Sequence, residues 1–279
     1  MPYADVNNIK LYYEIHGEGH PIFLLHGYGA TSKVWIAQVG ALSEHFKVIL
    51  YDQRSSGKSD HPSEDYPLDI LVEDLKGLMD FLKIKKTHLM GQSMGGWVSQ
   101  NFTLKYPEKV NKLVLVGTNH KGAGLYILKN TLIDLYEVAK TNKEEAFWKY
   151  AKLMHHRRFL KEMQADPKKK FYNLWSAKDL IEEFADNQMT PEDYERFEKA
   201  GSMHNLLDRL SEVKHAAILI GGDSDKMSPK LVLDEMHAAL PNSKIEIIEK
   251  AGHHVFIEEA PTVNQLIIDF LKNYVSFFP

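Results

Sequence analysis

Apolar positions along the chain fall into two rhythms. Ile9, Leu11, Tyr13 and Ile15 alternate with more polar neighbours, the period of a half-buried strand. Short apolar runs, most of them continuous, then recur at residues 22–25, 48–51, 88–90, 113–116, 218–220 and 245–248. Unbroken runs suit strands covered by helices on both faces, because neither side of the pleat meets water. Between them lies a 3.6-residue rhythm. Leu71, Val72, Leu75, Leu78, Met79 and Leu82 share one helix face, and Val263, Leu266, Ile267, Phe270, Leu271 and Tyr274 share another. A helix is also expected over 97–106, and Ser228-Pro229 reads as an N-cap followed by a first-turn proline. Strand–helix alternation of this kind predicts an α/β fold with a doubly wound, mostly parallel sheet.

The alternation fails between about residues 120 and 203. There the chain carries Leu132, Phe147, Phe159, Trp175, Phe184 and Phe197 among interleaved charges, with no strand-like run. Alternation resumes near Ala216. The reading is a helical insertion at 120–203, before the last two strands, within one domain made of residues 1–119 and 204–279. Most of its aromatic residues are expected in the insertion's own core and its seam with that domain.

Composition narrows the chemistry. The 279 residues are 44% hydrophobic and 26% charged, enough for a substantial core and incompatible with wholesale disorder. With 34 Lys and Arg against 38 Asp and Glu, the net charge of −4 argues against nucleic acid as the main partner. Cysteine is absent, which removes disulfide scaffolds, thiolate zinc sites and cysteine nucleophiles together and fits a reducing compartment. The start Met1-Pro2-Tyr3-Ala4-Asp5 leads into no apolar leader, and no run of about 18 apolar residues exists, so a soluble cytoplasmic protein is expected. Fourteen histidines are present, yet none sits in an H-E-x-x-H pattern; no metal and no cofactor is expected. His155-His156-Arg157-Arg158 reads as a solvated helix face.

Gly91-Gln92-Ser93-Met94-Gly95 matches G-x-S-x-G, between the apolar run 88–90 and the expected helix. Such a turn is tight enough to strain the serine backbone, and a side chain at 91 or 95 would collide with the neighbouring strand or helix. The hydroxyl then stands at a helix N-terminus, where backbone N–H groups favour developing negative charge. A serine hydroxyl needs a base oriented by a third group. Gly222-Asp223-Ser224-Asp225 and Ala251-Gly252-His253-His254 each follow an expected strand, placing an acid and a histidine at the edge where catalytic groups collect in open α/β sheets. The order Ser, Asp, His is the one this architecture requires. Position alone leaves Asp223 or Asp225, and His253 or His254.

These segments together resemble the α/β-hydrolase superfamily, in its capped single-domain branch of esterases, lactonases and related hydrolases. His26-Gly27-Tyr28-Gly29 is similar to the family's oxyanion loop. Asp52-Gln53-Arg54-Ser55-Ser56-Gly57-Lys58-Ser59-Asp60 is similar to D-x-R-G-x-G-x-S-D, with Ser55 where glycine is usual. Gly222-Asp223-Ser224-Asp225 with Pro229 resembles G-[ED]-x-D-x-x-x-P, and Gly252-His253 with Glu258 resembles G-H-x-x-x-x-E. The resemblance implies Ser93 as nucleophile, His253 as base, Asp225 as triad acid, and the backbone N–H groups of Tyr28 and Met94 as the oxyanion hole. Gly27, Trp97 and His254 would border the substrate, and the insertion would cap it.

A serine at position 93 points to carbonyl substrates, since relatives that open epoxides or displace halide carry aspartate there. The leading expectation is hydrolysis of a small to medium apolar carboxylic ester. A lactone is possible, and a C–C hydrolase is the rival; relatives of that type usually carry tryptophan where His254 stands. A hydrolase-fold ligand receptor is the reading from another class.

Overall fold

In the central strands, successive side chains enter two separate cores. Phe23 and Leu25 join one with Ile49, Tyr51, Leu89, Leu113, Leu115 and Leu219, whereas Ile22 and Leu24 join the other with Val48, Leu50, Met90, Val114, Val116 and Ile218. A period of two with both faces buried is why these runs are unbroken in sequence. A computed structural model describes residues 2–122, 124–185 and 189–272.

The strands are β1 (Tyr3–Val6), β2 (Ile9–His16), β3 (Pro21–Leu25), β4 (Lys47–Tyr51), β5 (Thr87–Gln92), β6 (Val110–Val116), β7 (Ala216–Gly222) and β8 (Ser243–Ile248). They form one sheet in the order β1-β2-β4-β3-β5-β6-β7-β8. β2 runs antiparallel to both β1 and β4; from β4 to β8 every pair is parallel. Strand β1 has no counterpart in the hydrophobic rhythm, being four residues long. Its hairpin is marked instead by Asn7 and Asn8, both at positive φ, as a two-residue turn between twisted strands requires.

The helices are α1 (Val39–Ser43), α2 (Leu68–Phe81), α3 (Met94–Lys105), α4 (Leu125–Ala139), α5 (Lys143–Met154), α6 (Arg157–Ala165), α7 (Ala177–Ala185), α8 (Pro191–Gly201), α9 (Lys230–Ala239), α10 (Val255–Glu258) and α11 (Ala260–Lys272). Helix α2 presents Leu71, Val72, Leu75, Leu78 and Met79 to one core, and α11 presents Val263, Ile267, Phe270 and Leu271 to the other. Tyr274, expected on the same face, lies outside the described residues. Ser228 does not cap α9: the helix starts after Pro229 with no side-chain cap, and the Ser228 hydroxyl donates instead to the Gly117 carbonyl at 3.0 Å.

Helices α4 to α8 form an insert between β6 and β7. The chain leaves and re-enters the sheet side by side, with Lys121 bridged to Asn205, Gly122 N–H donating to His204 O and Leu206 N–H to His120 O. Phe147, Phe159, Phe171 and Trp175 pack with the α11 side of the sheet, and Leu132, Leu135 and Phe197 with the α2 side. Most of the insert's large apolar residues are therefore structural. No helix among the described residues is long and apolar enough to cross a membrane.

Candidate active site

The loops that leave β3, β5, β6, β7 and β8 emerge at one edge, the C-terminal ends of the parallel strands. Ser93 sits between β5 and α3 with φ 51 and ψ −121, outside the regions a side chain ordinarily occupies. The glycines around it make this possible. A Cβ on Gly91 would strike the backbone of Gly95 and Gly96, and one on Gly95 the carbonyls of Leu25 and His26. Ser93 N–H donates to Val116 O, its carbonyl accepts from Thr118 Oγ1 and Gly96 N–H, and its side chain is half-buried rather than entombed.

Asp225 follows β7 and His253 follows β8. Their side chains are almost wholly buried, and His253 Nδ1 stands 2.9 Å from Asp225 Oδ2. A carboxylate only accepts, so Nδ1 carries the proton and the neutral ring keeps its lone pair on Nε2. Asp225 Oδ1 accepts from Met227 N–H at 2.8 Å and Ser228 N–H at 3.0 Å. Burial alone would raise this carboxyl's pKa; the adjacent His253 and the two backbone donors outweigh it and hold the group below the usual carboxylate range. Gly117, at φ 50, lets the end of β6 pass close beneath the pair, where a Cβ would crowd the His253 carbonyl at 2.9 Å. Asp223 is exposed and pairs locally with the Ser224 hydroxyl, so the structure brings Asp225 and not Asp223 to the histidine.

His253 Nε2 faces the side-chain amide of Gln92 at 3.1 Å. Among the described residues the Ser93 hydroxyl makes no hydrogen bond. Gln92 was not singled out by the sequence; the signal lay inside the elbow motif, at its unspecified second position. The residue is buried, and a Cβ on Gly27 would strike its Oε1.

The loop after β3 is held by its own histidine. His26 Nε2 accepts from Gln53 N–H at 3.1 Å, so Nδ1 carries the proton and donates to Gly27 O at 2.9 Å. Burial dominates His26 and keeps its pKa below the ordinary histidine value. Gln53 Nε2 donates to His26 O, and Asp52 accepts from Ser32 N–H and Lys58 N–H, tying the 52–60 segment beneath the loop. Ser55 takes φ 62, a left-handed conformation that glycine adopts without strain. Tyr28 and Met94 present backbone N–H groups with no acceptor among the described residues. The Tyr28 hydroxyl reaches into the insert and donates to Tyr194 O at 2.6 Å.

Beside this loop lies a small cavity bordered by Gly29, Tyr150, His155, Leu180, Phe184 and His254, with Glu183 also on its wall. His254 is buried among the rings of Tyr150, His155 and Phe256. Burial first, then the neighbouring His155 and His253, holds His254 well below the ordinary histidine pKa, so it is neutral at pH 7. Trp97 is buried in a seam: its N–H donates to Asn119 Oδ1 at 3.0 Å and its ring stacks on His204 at 4.8 Å.

The His155–Arg158 segment is solvated only in part: Arg157 and Arg158 are exposed, whereas His155 is not. His155 is buried with Nδ1 3.3 Å from Glu258, His156 N–H donates to the same carboxylate, and Arg158 pairs with Glu259. Glu258 also accepts from Gly252 N–H at 3.0 Å, joining the insert to the loop that carries His253. Adjacent residues do point apart, but the turn between α5 and α6 is pressed onto the main domain. Among the described residues no cluster of three or more His, Asp or Glu is placed to hold a metal.

Sheet order, elbow and the carboxylate–imidazole pair together define a known architecture. The chain belongs to the family described as alpha/beta hydrolase fold, whose model matches residues 20–260. It is 27% identical over 285 residues to a 2-hydroxy-6-oxononadienedioate/2-hydroxy-6-oxononatrienedioate hydrolase of Comamonas testosteroni, covering 96% of this chain and 93% of that one. Among solved structures, the enol-lactonase from Burkholderia xenovorans LB400 superposes with a TM-score of 0.82 at 25% identity, over 98% of this chain and 100% of the other. A thermophilic esterase from Thermogutta terrifontis shares the fold at a TM-score of 0.80 and 23% identity, covering 97% of each chain.

Proposed function

We propose that the chain is a serine hydrolase that cleaves a neutral, largely apolar carboxylic ester through an acyl-enzyme. The observation that carries this reading is the His253–Asp225 pair, with its proton on Nδ1, at the strained elbow of Ser93. Ser93 Oγ attacks the acyl carbonyl while its proton passes to His253 Nε2, and Asp225 holds the ring's tautomer and stabilises the imidazolium. Tyr28 N–H and Met94 N–H bind the tetrahedral oxyanion, each contributing about 3 kcal/mol by analogy with measured cases. Protonated His253 then releases the alcohol, and water attacks the acyl-enzyme with His253 again as base. Residues 120–203 act as the cap, while Gly27 and His254 border the acyl group and Trp97 supports the floor.

The Comamonas relative supports a second reading, hydrolysis of a C–C bond next to a carbonyl, and the enol-lactonase supports a lactone. All three begin at the same serine. The deciding experiment compares kcat/KM for p-nitrophenyl esters of increasing chain length, a set of lactones and a vinylogous diketone acid, in wild type and Ser93→Ala. Short to medium esters should lead, and Ser93→Ala should lose about 10³-fold or more. A variant with more than about a tenth of wild-type turnover on the best substrate would remove Ser93 as nucleophile.

A further inference from the structure

We propose that Gln92 is a working side chain of this site, a carboxamide that holds His253 in the resting protein and turns over during the reaction. The inference rests on the serine-hydrolase reading above. Its starting point is a conflict between partners. His253 Nδ1 donates to Asp225, so the neutral ring has one acceptor, Nε2, and Gln92 Nε2 donates to it at 3.1 Å. That same lone pair must accept the Ser93 proton. In the resting arrangement the base is therefore occupied, and the Ser93 hydroxyl makes no hydrogen bond among the described residues.

The other end of the amide lies against the loop that carries the proposed oxyanion donor Tyr28. Gln92 Oε1 stands against the Cα of Gly27, close enough that a Cβ there would strike it, and the next residue supplies the Tyr28 N–H. On this proposal a carbonyl oxygen bound by Tyr28 N–H and Met94 N–H brings its lone pairs towards Oε1 across Gly27. Acceptor against acceptor is unfavourable, and rotation about the last side-chain bond relieves it, because sp² torsions of this kind are broad and roughly two-fold. The turned amide offers N–H to the substrate oxygen and its own oxygen to His253. That second contact is unfavourable while Nε2 holds a lone pair, and becomes a hydrogen bond once Nε2 has taken the proton from Ser93 Oγ. Both new bonds thus strengthen only as charge separates between oxyanion and imidazolium, the condition for lowering a barrier rather than tightening binding.

Burial and surroundings fit this role. The side chain is almost fully enclosed, so neither end of the amide can exchange its partners freely for water. The residue belongs to β5 and immediately precedes the elbow, so its backbone is fixed by the central strand while its side chain retains the one rotation required.

The test uses the whole protein with Gln92→Met, which keeps the length without hydrogen bonding, and Gln92→Glu, which keeps the shape but presents only acceptors at neutral pH. Both are measured on the best ester beside wild type and Ser93→Ala, with melting temperatures recorded. Gln92→Met is expected to lower kcat about 10- to 100-fold with KM nearly unchanged. Gln92→Glu should lower kcat further, since a carboxylate can offer the oxyanion no donor. If Gln92→Met does not fold, Gln92→Glu alone decides the matter. Either folded variant retaining more than about a third of wild-type kcat overturns the role of Gln92. A loss carried by KM alone also overturns it, because that is the signature of simple packing or substrate contact. Retained activity in Ser93→Ala would instead overturn the serine mechanism on which the inference depends.

Discussion

Replacing Asp225 by asparagine tests the site through one proton. The carboxylate now accepts three hydrogen bonds, from His253 Nδ1 at 2.9 Å, Met227 N–H at 2.8 Å and Ser228 N–H at 3.0 Å. An asparagine can keep its oxygen on the two backbone donors, which directs its NH₂ at His253. Nδ1 must then accept, the ring proton moves to Nε2, and the atom that should take the serine proton is already protonated. Loss of the working tautomer in this arrangement is worth about 10⁴-fold in kcat, or about 5.5 kcal/mol of barrier. The fold should survive, since shape and all three contacts are kept with weaker partners, at about 1–3 kcal/mol of stability. The assay is steady-state hydrolysis of a short p-nitrophenyl ester, with thermal melting in parallel and Asp223→Asn as the control. Asp223 is exposed and bonded to Ser224, so its variant should turn over like wild type. An Asp225→Asn protein working at more than about a tenth of the wild-type rate, less than 1.4 kcal/mol of barrier, would refute the tautomer argument.

Two further outcomes concern stability. Burial pushes His88 and His204 down to about 3, whereas histidine in the unfolded chain titrates near 6.5. As pH falls below about 6.5 the unfolded chain binds protons first, so stability is full above that value and declines below it by about 1.4 kcal/mol per pH unit for each ring. His26 and His254 act in the same direction, and His61, raised by its ion pair with Asp193, acts against them. Chemical unfolding curves from pH 7.5 to 5 should show this decline, reduced in His88→Phe; a level profile would contradict it. Ser55→Gly should raise the melting temperature by about 2 °C, because glycine accepts φ 62 without strain, and an unchanged or lower value would show that the serine conformation is unstrained here.

Much of the sheet was legible because its strands are buried on two faces and therefore unbroken in hydrophobicity. β7 was expected from residues 218–220 and extends over Ala216–Gly222, the usual extension of a strand beyond its most apolar centre. The elbow was legible because its glycines answer to steric demands that a short string records. Pairings between distant segments were not. Nothing local says that the Ser228 hydroxyl serves the Gly117 carbonyl, or that His155 turns inward to Glu258, since each depends on where another loop lands. Gln92 escaped notice for a related reason: its meaning comes from two partners, Gly27 and His253, lying 65 residues before it and 161 after it.

The Glu258 carboxylate has a mechanical implication. It grips Gly252 on one side and the start of α6 on the other, while His254 N–H is bonded to Met154 O at the end of α5. The turn bearing the imidazole is thereby riveted to the insert at this corner. Any swing of α5 and α6 away from the sheet would drag residue 253 with it and disassemble the machinery it was meant to uncover.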